Sequence, residues 1–363
     1  MIKNIFTNEK NNLSSLLGYR CFQIGVLCLP SSALISFLFL LVPLCEGTYK
    51  RRDLFWKEYW NFPLVLISFL MIIGCLHSQS AWLAWLGLFN WVPFFWCFWG
   101  LQPYLLTPER RKKCASMLVL GSLPVLITGF GQLWFDWEGP WELFGGLIIW
   151  FVAPGGEPLG RLSGLFDYAN ITAAWLSGIW SFCLASFLHP FIFGKNRVIP
   201  GVLLIAFVLA MILTDSRNAW GSIFLALPIV FGSASWGWLI PLLLISFLPV
   251  VFAILPDFDL GLQQLARNIV PESIWMRLND MQFVNRPIEA TRIGQWKIAI
   301  NLIIQKPFLG WGAAAFSIIY PLKTGLSHGH SHNLPLELAV SHGILVAILM
   351  NIFVFSLLII SAY

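Results

Sequence analysis

The sequence predicts an all-α protein, a polytopic bundle of membrane helices. Of its 363 residues, 58% are apolar and 11% are charged, whereas about a quarter of the residues of an average soluble protein are charged. Long apolar runs recur along the chain, and roughly 20 apolar residues cross the hydrocarbon core of a bilayer as one helix. A soluble protein with a very large core is excluded, because it would need far more charge to cover its surface.

Apolar runs along the chain predict the membrane helices in order. They cover residues 22–44, 62–78, 81–101, 115–134, 171–190, 198–214, 218–234, 236–255 and 335–360. The first run is alternatively a hairpin that starts near residue 13 and breaks at Pro30, since proline interrupts a helix. We therefore predict a single integral membrane domain over residues 1–363, with about 9–10 transmembrane helices.

Basic residues predict the orientation of the chain. Three clusters lie in loops separated by even numbers of runs, so all three can face the cytoplasm: Lys50-Arg51-Arg52, Arg110-Arg111-Lys112-Lys113 and Lys195 with Arg197. The loops around residues 135–170, 215–217 and 256–334 then face outward, and the last is a long outer, periplasmic loop. Within it, "WKIAINLIIQK" spaces Lys297, Asn301 and Gln305 four residues apart, which predicts a helix lying on the membrane surface.

Net charge and cysteine content exclude other classes. In a membrane protein the formal charge of +5 informs orientation rather than nucleic-acid binding, and no nucleic-acid partner is predicted. The seven cysteines lie in or beside apolar runs and none has CxxC spacing. We interpret them as small hydrophobic residues rather than disulfide partners or metal ligands.

The segment "LTDSRNAWGS" places Arg217 in a short break between two apolar runs. An ionisable residue beside the membrane is by default a functional hypothesis. Asp215 or Ser216 can cap the following helix, whose N-terminus favours phosphate, and Arg217 adds a bidentate fork for phosphate oxygens. The alternative is a local salt bridge between Arg217 and Asp215.

Two further segments supply candidate residues. "GRLSGLFDYAN" brings Arg161 and Asn170 to the predicted outer surface, either as site residues or as a polar loop with a helix cap. "RPIEATRIGQW" contains Arg286 and Arg292. Arg292 either pairs with Glu289 along a helix or provides a second phosphate ligand.

Histidines alternate in "SHGHSHNLPLE", at His328, His330 and His332. In an extended segment this spacing puts all three on one side, as a zinc site needs, but no fourth ligand is positioned by spacing. A single histidine acting as general base needs fewer partners, because an ordinary imidazole is partly neutral near pH 7. A plain polar loop, with no chemical role, is the third interpretation.

Four segments together resemble the O-antigen ligase superfamily. They are "GRLSGLFDYAN", "LTDSRNAW", "TRIGQWKIAINLIIQKPFLGWGAAAF" and "HSHNLPLELAVSHGI", in the order seen in that family, over residues 160–345 and including the outer loop 256–334. The resemblance implies a metal-independent membrane glycosyltransferase of the bacterial inner membrane with a periplasmic active face. It would move a glycan from an undecaprenyl-diphosphate donor to an acceptor hydroxyl, on lipid A–core or another lipid-linked glycan, without a cofactor.

Site residues follow from the same resemblance. Arg217 and Arg292 would hold the diphosphate, and His332 would activate the acceptor hydroxyl. Secondary candidates are Arg161, Asn170, Arg286 and His330, while His328 is expected to be a solvated loop residue.

This sequence departs from the family in two places. Tyr168-Ala169-Asn170 stands where the family often has Asn-Pro-Asn. The chain ends at Tyr363, where family members usually continue through further membrane helices, so it is either truncated or a compact member. The alternative function is a membrane transporter, since one branch of the superfamily carries the label of bicarbonate transporter; a non-catalytic scaffold is a third hypothesis.

Overall fold

A computed structural model describes residues 14–78, 80–192, 194–255, 260–278 and 287–362. It confirms the predicted all-α class. The α-helices of the described residues are α1 (Leu16–Cys28), α2 (Ala33–Arg51), α3 (Asn61–Leu76), α4 (Trp82–Leu88), α5 (Val92–Gly100), α6 (Pro108–Gly121), α7 (Leu123–Trp134), α8 (Ala169–Leu188), α9 (Val198–Leu213), α10 (Arg217–Phe231), α11 (Trp236–Ile254), α12 (Leu260–Ile269), α13 (Glu272–Leu278), α14 (Arg292–Gln305), α15 (Ala315–Thr324), α16 (Leu334–His342) and α17 (Ile344–Ala362). One antiparallel hairpin, β1 (Trp141–Leu143) and β2 (Ile148–Trp150), accompanies them and was not predicted.

Many helices are suited to a bilayer by length and composition. Six candidate spans among the described residues are long and apolar enough to cross it: Ala33–Lys57, Trp82–Gly100, Pro108–Trp134, Ala169–Leu188, Ser233–Ile254 and Ile344–Ser361. Four apolar helices are shorter, namely α1, α3, α9 and α10. The chain is therefore a multi-pass membrane protein. The predicted 9–10 transmembrane helices are reached when the four shorter helices are counted with the six candidate spans.

Helix boundaries follow the strongest breakers in the sequence. The first apolar run is the alternative hairpin, with α1 ending at Cys28 and α2 beginning at Ala33 around Pro30. The runs predicted at 81–101 and 115–134 each correspond to one candidate span built from two helices, while the run at 335–360 comprises α16 and the span at Ile344–Ser361. The run at 335–360 breaks at Gly343, whose φ of 90° and ψ of 163° lie in a region that is essentially restricted to glycine.

The chain divides into two compact units, each described by itself. Unit 1 comprises Met1–Glu46 and Pro103–Gln282, and unit 2 comprises Gly47–Gln102 and Phe283–Tyr363. In unit 1 the main core joins α6, α7, α8, α9 and α10 through fully buried side chains such as Val119, Leu176, Trp180, Phe207 and Met211. In unit 2 the core joins α3, α14, α15, α16 and α17 through Met71, Leu302, Phe316, Leu338 and Val346.

Helix α14 has the polar stripe that the sequence predicts. Lys297, Asn301 and Gln305 are exposed, while Ala299 and Leu302 are fully buried in the core of unit 2. This pattern fixes which face of α14 packs inward, and it thereby fixes the direction in which the first turn of the helix presents its side chains. Contact of α14 with a membrane surface stays a prediction.

Arg51, one of the basic residues used to predict orientation, is also a structural residue of unit 2. It is 4% exposed, its guanidinium lies 4.0 Å from the centre of the Trp99 ring, and it donates to the Trp99 carbonyl at 3.0 Å. An ion pair with Glu58 at 2.5 Å balances its charge. A buried charge needs such a partner because desolvation is costly.

Candidate functional site

In unit 1, the candidate residues meet at the break between α9 and α10. The Nε of Arg161 donates to the Thr214 carbonyl at 2.8 Å. Its Nη2 donates to the Asn170 Oδ1 at 2.8 Å and to the Asp215 carbonyl at 3.3 Å. The neighbouring Leu162 N–H donates to the Leu213 carbonyl at 2.9 Å. The carbonyls at the end of a helix lack partners within it; here the Leu162 N–H donates to the last carbonyl of α9, and Arg161 donates to the two carbonyls that follow.

Arg161 and Asn170 are therefore brought together, and the helix-cap interpretation accounts for Arg161. Asn170 lies in the first turn of α8 and orients the guanidinium through its side-chain oxygen. Arg161 also borders the backbone that carries Arg217, because it donates to the carbonyl of Asp215, two residues before Arg217. Arg161 thus holds the start of α10 in place.

Arg217 is the first residue of α10 and is partly buried. Ser216 occupies the N-cap position, but its side chain makes no capping hydrogen bond, so the capping predicted for Ser216 was wrong. Asp215 takes a left-handed backbone conformation, with φ of 50°, at the turn before it. The chain therefore reverses sharply between α9 and α10, and the guanidinium of Arg217 belongs to a helix N-terminus, where partial positive charge favours an anion.

Replacing Arg161 by alanine is expected to lower the free energy of unfolding by about 2 kcal/mol, since hydrogen bonds from a charged donor contribute roughly 1.5–3 kcal/mol. The buried carbonyl of Thr214 would lose its donor. Thermal unfolding in detergent micelles measures the effect. Arg197→Ala is the control, because Arg197 has a single 3.4 Å contact to a carbonyl and is exposed; equal stability losses in both variants would contradict the capping role.

In unit 2, the histidine loop is held by both backbone groups of Ser331. The Trp296 indole Nε1 donates to the Ser331 carbonyl at 3.1 Å, and the Ser331 N–H donates to the Glu337 Oε2 at 2.8 Å. Ser331 itself is fully buried. The residue immediately before His332 is thus fixed between α14 and α16.

His332 is exposed at the end of this fixed loop, in a left-handed conformation with φ of 53°. Its backbone N–H donates to the His330 Nδ1 at 3.2 Å, and the two rings lie 4.2 Å apart between centroids. A left-handed conformation is unusual for a residue other than glycine and persists where the surroundings impose it. His330 therefore helps to set the backbone of His332, while the imidazole of His332 is presented outward.

His328 lies further back in the loop, partly buried, with its ring 5.4 Å from that of Tyr320 and 6.3 Å from that of His332. It lies in the loop, as expected, but it is less solvated than a free loop residue would be. Within the described part of the chain, no three His, Cys, Asp or Glu side chains are grouped so that they could hold a metal ion. The zinc alternative accordingly has no ligand group among these residues.

Helix α16 begins immediately after His332. Asn333 is its N-cap, and the Asn333 side chain accepts from the Leu336 N–H at 3.2 Å. The Glu337 N–H donates to the Asn333 carbonyl at 2.9 Å while the Glu337 carboxylate holds Ser331. One turn of helix therefore couples the position of the loop to the start of α16.

Arg292 is the first residue of α14 and is exposed. Thr291 caps the helix by accepting from the Gly294 N–H at 3.3 Å. Arg292 lies one turn before Trp296, which donates to Ser331, so α14 links the arginine to the histidine loop. The secondary candidate Arg286 lies outside the described residues.

The motif "PFLGWG" has a structural role in the same unit. Its backbone makes two hydrogen bonds with the end of α16, from the Trp311 N–H to the Val340 carbonyl at 2.8 Å and from the Gly312 N–H to the Ser341 carbonyl at 3.0 Å. A third joins the Ile344 N–H, at the start of α17, to the Pro307 carbonyl at 2.8 Å. The motif follows α14 directly, and α16 carries the histidine loop at its other end. This backbone pairing thus fixes α16 against the end of α14.

Sequence reasoning missed three residues of this arrangement. Trp296, Ser331 and Glu337 hold the loop, yet none carries an obvious chemical group for transfer. Glu337 was the one with a visible pattern, because a carboxylate in the first turn of a helix lies close to the loop before it. Arg217 belongs to unit 1, whereas Arg292, His330 and His332 belong to unit 2.

Replacing Glu337 by leucine is expected to lower the glycan transfer that the family resemblance implies by about 10-fold or more, because displacement of a catalytic group by 1 Å costs as much as 100-fold. Ser331 would lose the acceptor for its buried N–H. Glu337→Gln, which keeps an oxygen at that position, is expected to restore most of the activity. Activity measured on purified protein in liposomes tests this, and equal defects in both variants would contradict a positioning role.

Comparison with known proteins finds a family model that matches part of the chain. Residues 201–350 match the family model described as O-Antigen ligase. No curated protein matches the chain, and no solved structure matches it. The matched segment contains Arg217, Arg292 and His332, but neither Arg161 nor Asn170. Residues 201–350 of the chain are thus similar to the O-antigen ligase family, and this match supports the resemblance seen in the sequence.

Proposed function

We propose that this protein transfers a glycan from an undecaprenyl-diphosphate-linked donor to an acceptor hydroxyl, on lipid A–core or on another lipid-linked glycan. The observation that carries this proposal is the presentation of His332. Its loop is held from α14 and α16 through Ser331, and its imidazole is exposed. A rigid support with an accessible base is what proton transfer from a bulky lipid-linked substrate requires.

The transfer breaks one bond and forms another. An imidazole nitrogen of His332 accepts the proton of the acceptor hydroxyl, and the hydroxyl oxygen forms a bond to the anomeric carbon of the donor sugar. The bond between that carbon and the diphosphate oxygen breaks, and the diphosphate leaves with the electron pair. Negative charge therefore grows on the leaving oxygen, where a guanidinium stabilises it.

Arg292 is the proposed guanidinium in unit 2. It begins α14 next to the capped first turn, so both its own charge and the partial positive charge of the helix N-terminus favour an anion. Trp296, on the same helix, holds the loop of His332. These contacts support assigning the base and one phosphate ligand to the same unit.

Arg217 is proposed as a phosphate ligand in unit 1. Its place at the N-terminus of α10, with the preceding turn held by Arg161, supports this assignment. We therefore treat Arg161 and Asn170 as residues that position the α9–α10 break, and not as ligands. The proposed location is the bacterial inner membrane, with the reacting groups on the periplasmic face and with no metal or cofactor taking part.

The test is glycan transfer in a bacterium that lacks its own ligase but makes lipid-linked O-antigen and lipid A–core. The chain is expected to produce high-molecular-weight lipopolysaccharide, and Arg292→Ala and Arg217→Ala are expected to abolish most of it. Lys297→Ala is the matched control, since Lys297 is an exposed cation on the same helix as Arg292. Equal loss in the Lys297 variant would contradict a specific role for Arg292.

A second readout distinguishes related activities. Longer lipid-linked glycans without transfer to lipid A–core would indicate polymerisation, the same chemistry with another acceptor. Bicarbonate uptake that depends on the chain, with neither glycan product, would contradict glycan transfer and favour the transporter alternative. Quantifying the protein in the membrane fraction ensures that each result refers to protein that is present.

A further inference from the structure

Helix α12 exposes its larger apolar side chains and buries its smaller ones, the reverse of a helix in a water-soluble protein. The side chains of Leu265 and Ile269 are 59% and 64% exposed, and Leu262, on the same stripe, is 48% exposed. The residues that α12 buries are smaller: Ala266 is 4% exposed, and Val270 directly after the helix is 6% exposed. A helix in water buries its leucine and isoleucine and leaves alanine outside, because the larger side chains gain more from burial.

This orientation of α12 is held by named contacts in unit 1. Ala266 and Val270 pack against Ala253 at the end of α11. Arg267 donates from Nε to the Ala253 carbonyl at 3.1 Å, and its guanidinium lies 4.6 Å from the centre of the Trp275 ring. Rotation of α12 to bury Leu265 would break both contacts, so the exposed apolar stripe belongs to the folded structure.

The stripe continues the exposed apolar surface of a candidate membrane span. Helix α11 belongs to the candidate span Ser233–Ile254, of which 11% is buried inside the protein. Its exposed apolar residues extend along its length, for example Leu244 and Ile245 at 64% and 63% exposed. α12 packs against the end of this helix at Ala253. The apolar stripe of α12 therefore begins where the exposed apolar surface of α11 ends.

We infer that α12 is a membrane-interface helix whose Leu265 and Ile269 insert among the acyl chains of the bilayer. Gln264 and Asn268 lie on another side of the helix and are exposed, as a polar face toward water requires. A helix with one apolar and one polar face lies in the plane of the interface, with its apolar face about 5–10 Å below the headgroups. This assignment adds a membrane contact to the outer loop that is distinct from α14.

Photolabelling of the full-length protein in phosphatidylcholine liposomes tests the inference without any substitution. One sample contains a phospholipid with a diazirine in its acyl chain, and a second receives a water-soluble diazirine reagent. After illumination, mass spectrometry locates the adducts within residues 260–269. The lipid reagent is expected to modify Leu265 and Ile269, and the water-soluble reagent is expected to modify Gln264 and Asn268.

Other outcomes overturn the inference. Modification of Leu265 and Ile269 by the water-soluble reagent would mean that the stripe faces water. Protection of both residues from both reagents would mean that protein covers them, either a second copy of this chain or a partner. Substituting Leu265→Gln together with Ile269→Gln gives a second measurement: labelling of this helix by the lipid reagent should fall, while labelling of α11 stays unchanged. Unchanged labelling of α12 by the lipid reagent in that variant would also contradict insertion of these two side chains.

Discussion

Replacing His332 by alanine is expected to slow glycan transfer by about 10²–10⁴-fold, the usual contribution of a general base. The variant loses the group that accepts the hydroxyl proton, but it keeps the supports of the loop, because Trp296 and Glu337 bind the backbone of Ser331. The fold and the amount of protein in the membrane should therefore stay unchanged. Initial rates on purified protein in liposomes, with lipid-linked donor and acceptor, measure the effect.

His330→Ala is the matched control for this prediction. It removes the nitrogen that accepts from the His332 N–H at 3.2 Å, yet it leaves the proposed base in place, so a smaller loss is expected. Added imidazole should restore part of the activity to His332→Ala and none to Arg292→Ala. Equal defects in the two histidine variants, without rescue, would contradict the assignment of His332 as the base.

Much of the fold could be predicted because its determinants are local. The length of each apolar run predicts a membrane helix, and Pro30 predicts the break between α1 and α2. The polar stripe of α14 is likewise visible from spacing alone, since residues four apart share a helical face. In each case a few neighbouring residues contain the whole physical cause.

Contacts between distant parts of the chain could not be predicted in this way. Arg51 looks like an orientation signal in the sequence, but its burial beside Trp99 depends on a helix almost fifty residues away. The break at Gly343 is similarly hidden in a long apolar run, because its cause is the pairing with residues 307–312. An aromatic residue such as Trp296 also gives no sign that it holds the histidine loop.

The same distinction applies to the candidate site. His332 and Arg292 stand out because ionisable groups are rare in this chain, and the resemblance to a family assigns them roles. The supports of the loop are an indole, a serine backbone and a carboxylate whose relation appears once α14 and α16 are adjacent. Sequence therefore indicates the chemistry of the site more readily than the residues that position it.

Gly343→Ala is expected to lower the free energy of unfolding by about 3 kcal/mol or more, since conformations restricted to glycine cost other residues roughly 1–3 kcal/mol before any steric overlap. A Cβ at Gly343 would lie 1.9 Å from the Phe308 carbonyl oxygen, which is backbone and has little freedom to move. The neighbouring Ile344 N–H also pairs with the Pro307 carbonyl. Relief of the overlap would therefore separate α16 and α17 from residues 307–312, which pair with them. Thermal unfolding in detergent micelles measures the loss of stability.

Gly178→Ala is the matched control, because a Cβ at Gly178, inside α8, would meet nothing within 4 Å. Alanine there should leave stability unchanged or raise it by roughly 0.5–1 kcal/mol, since glycine is the poorer helix former. A fall in stability for Gly343→Ala and none for Gly178→Ala would establish that the break between α16 and α17 is a required feature of unit 2. If Gly343→Ala were as stable as the natural chain, the left-handed break and the backbone pairing around it could not both be correct. The same variant also tests the site, because α16 carries the histidine loop at its N-terminus, so its glycan transfer should fall together with its stability.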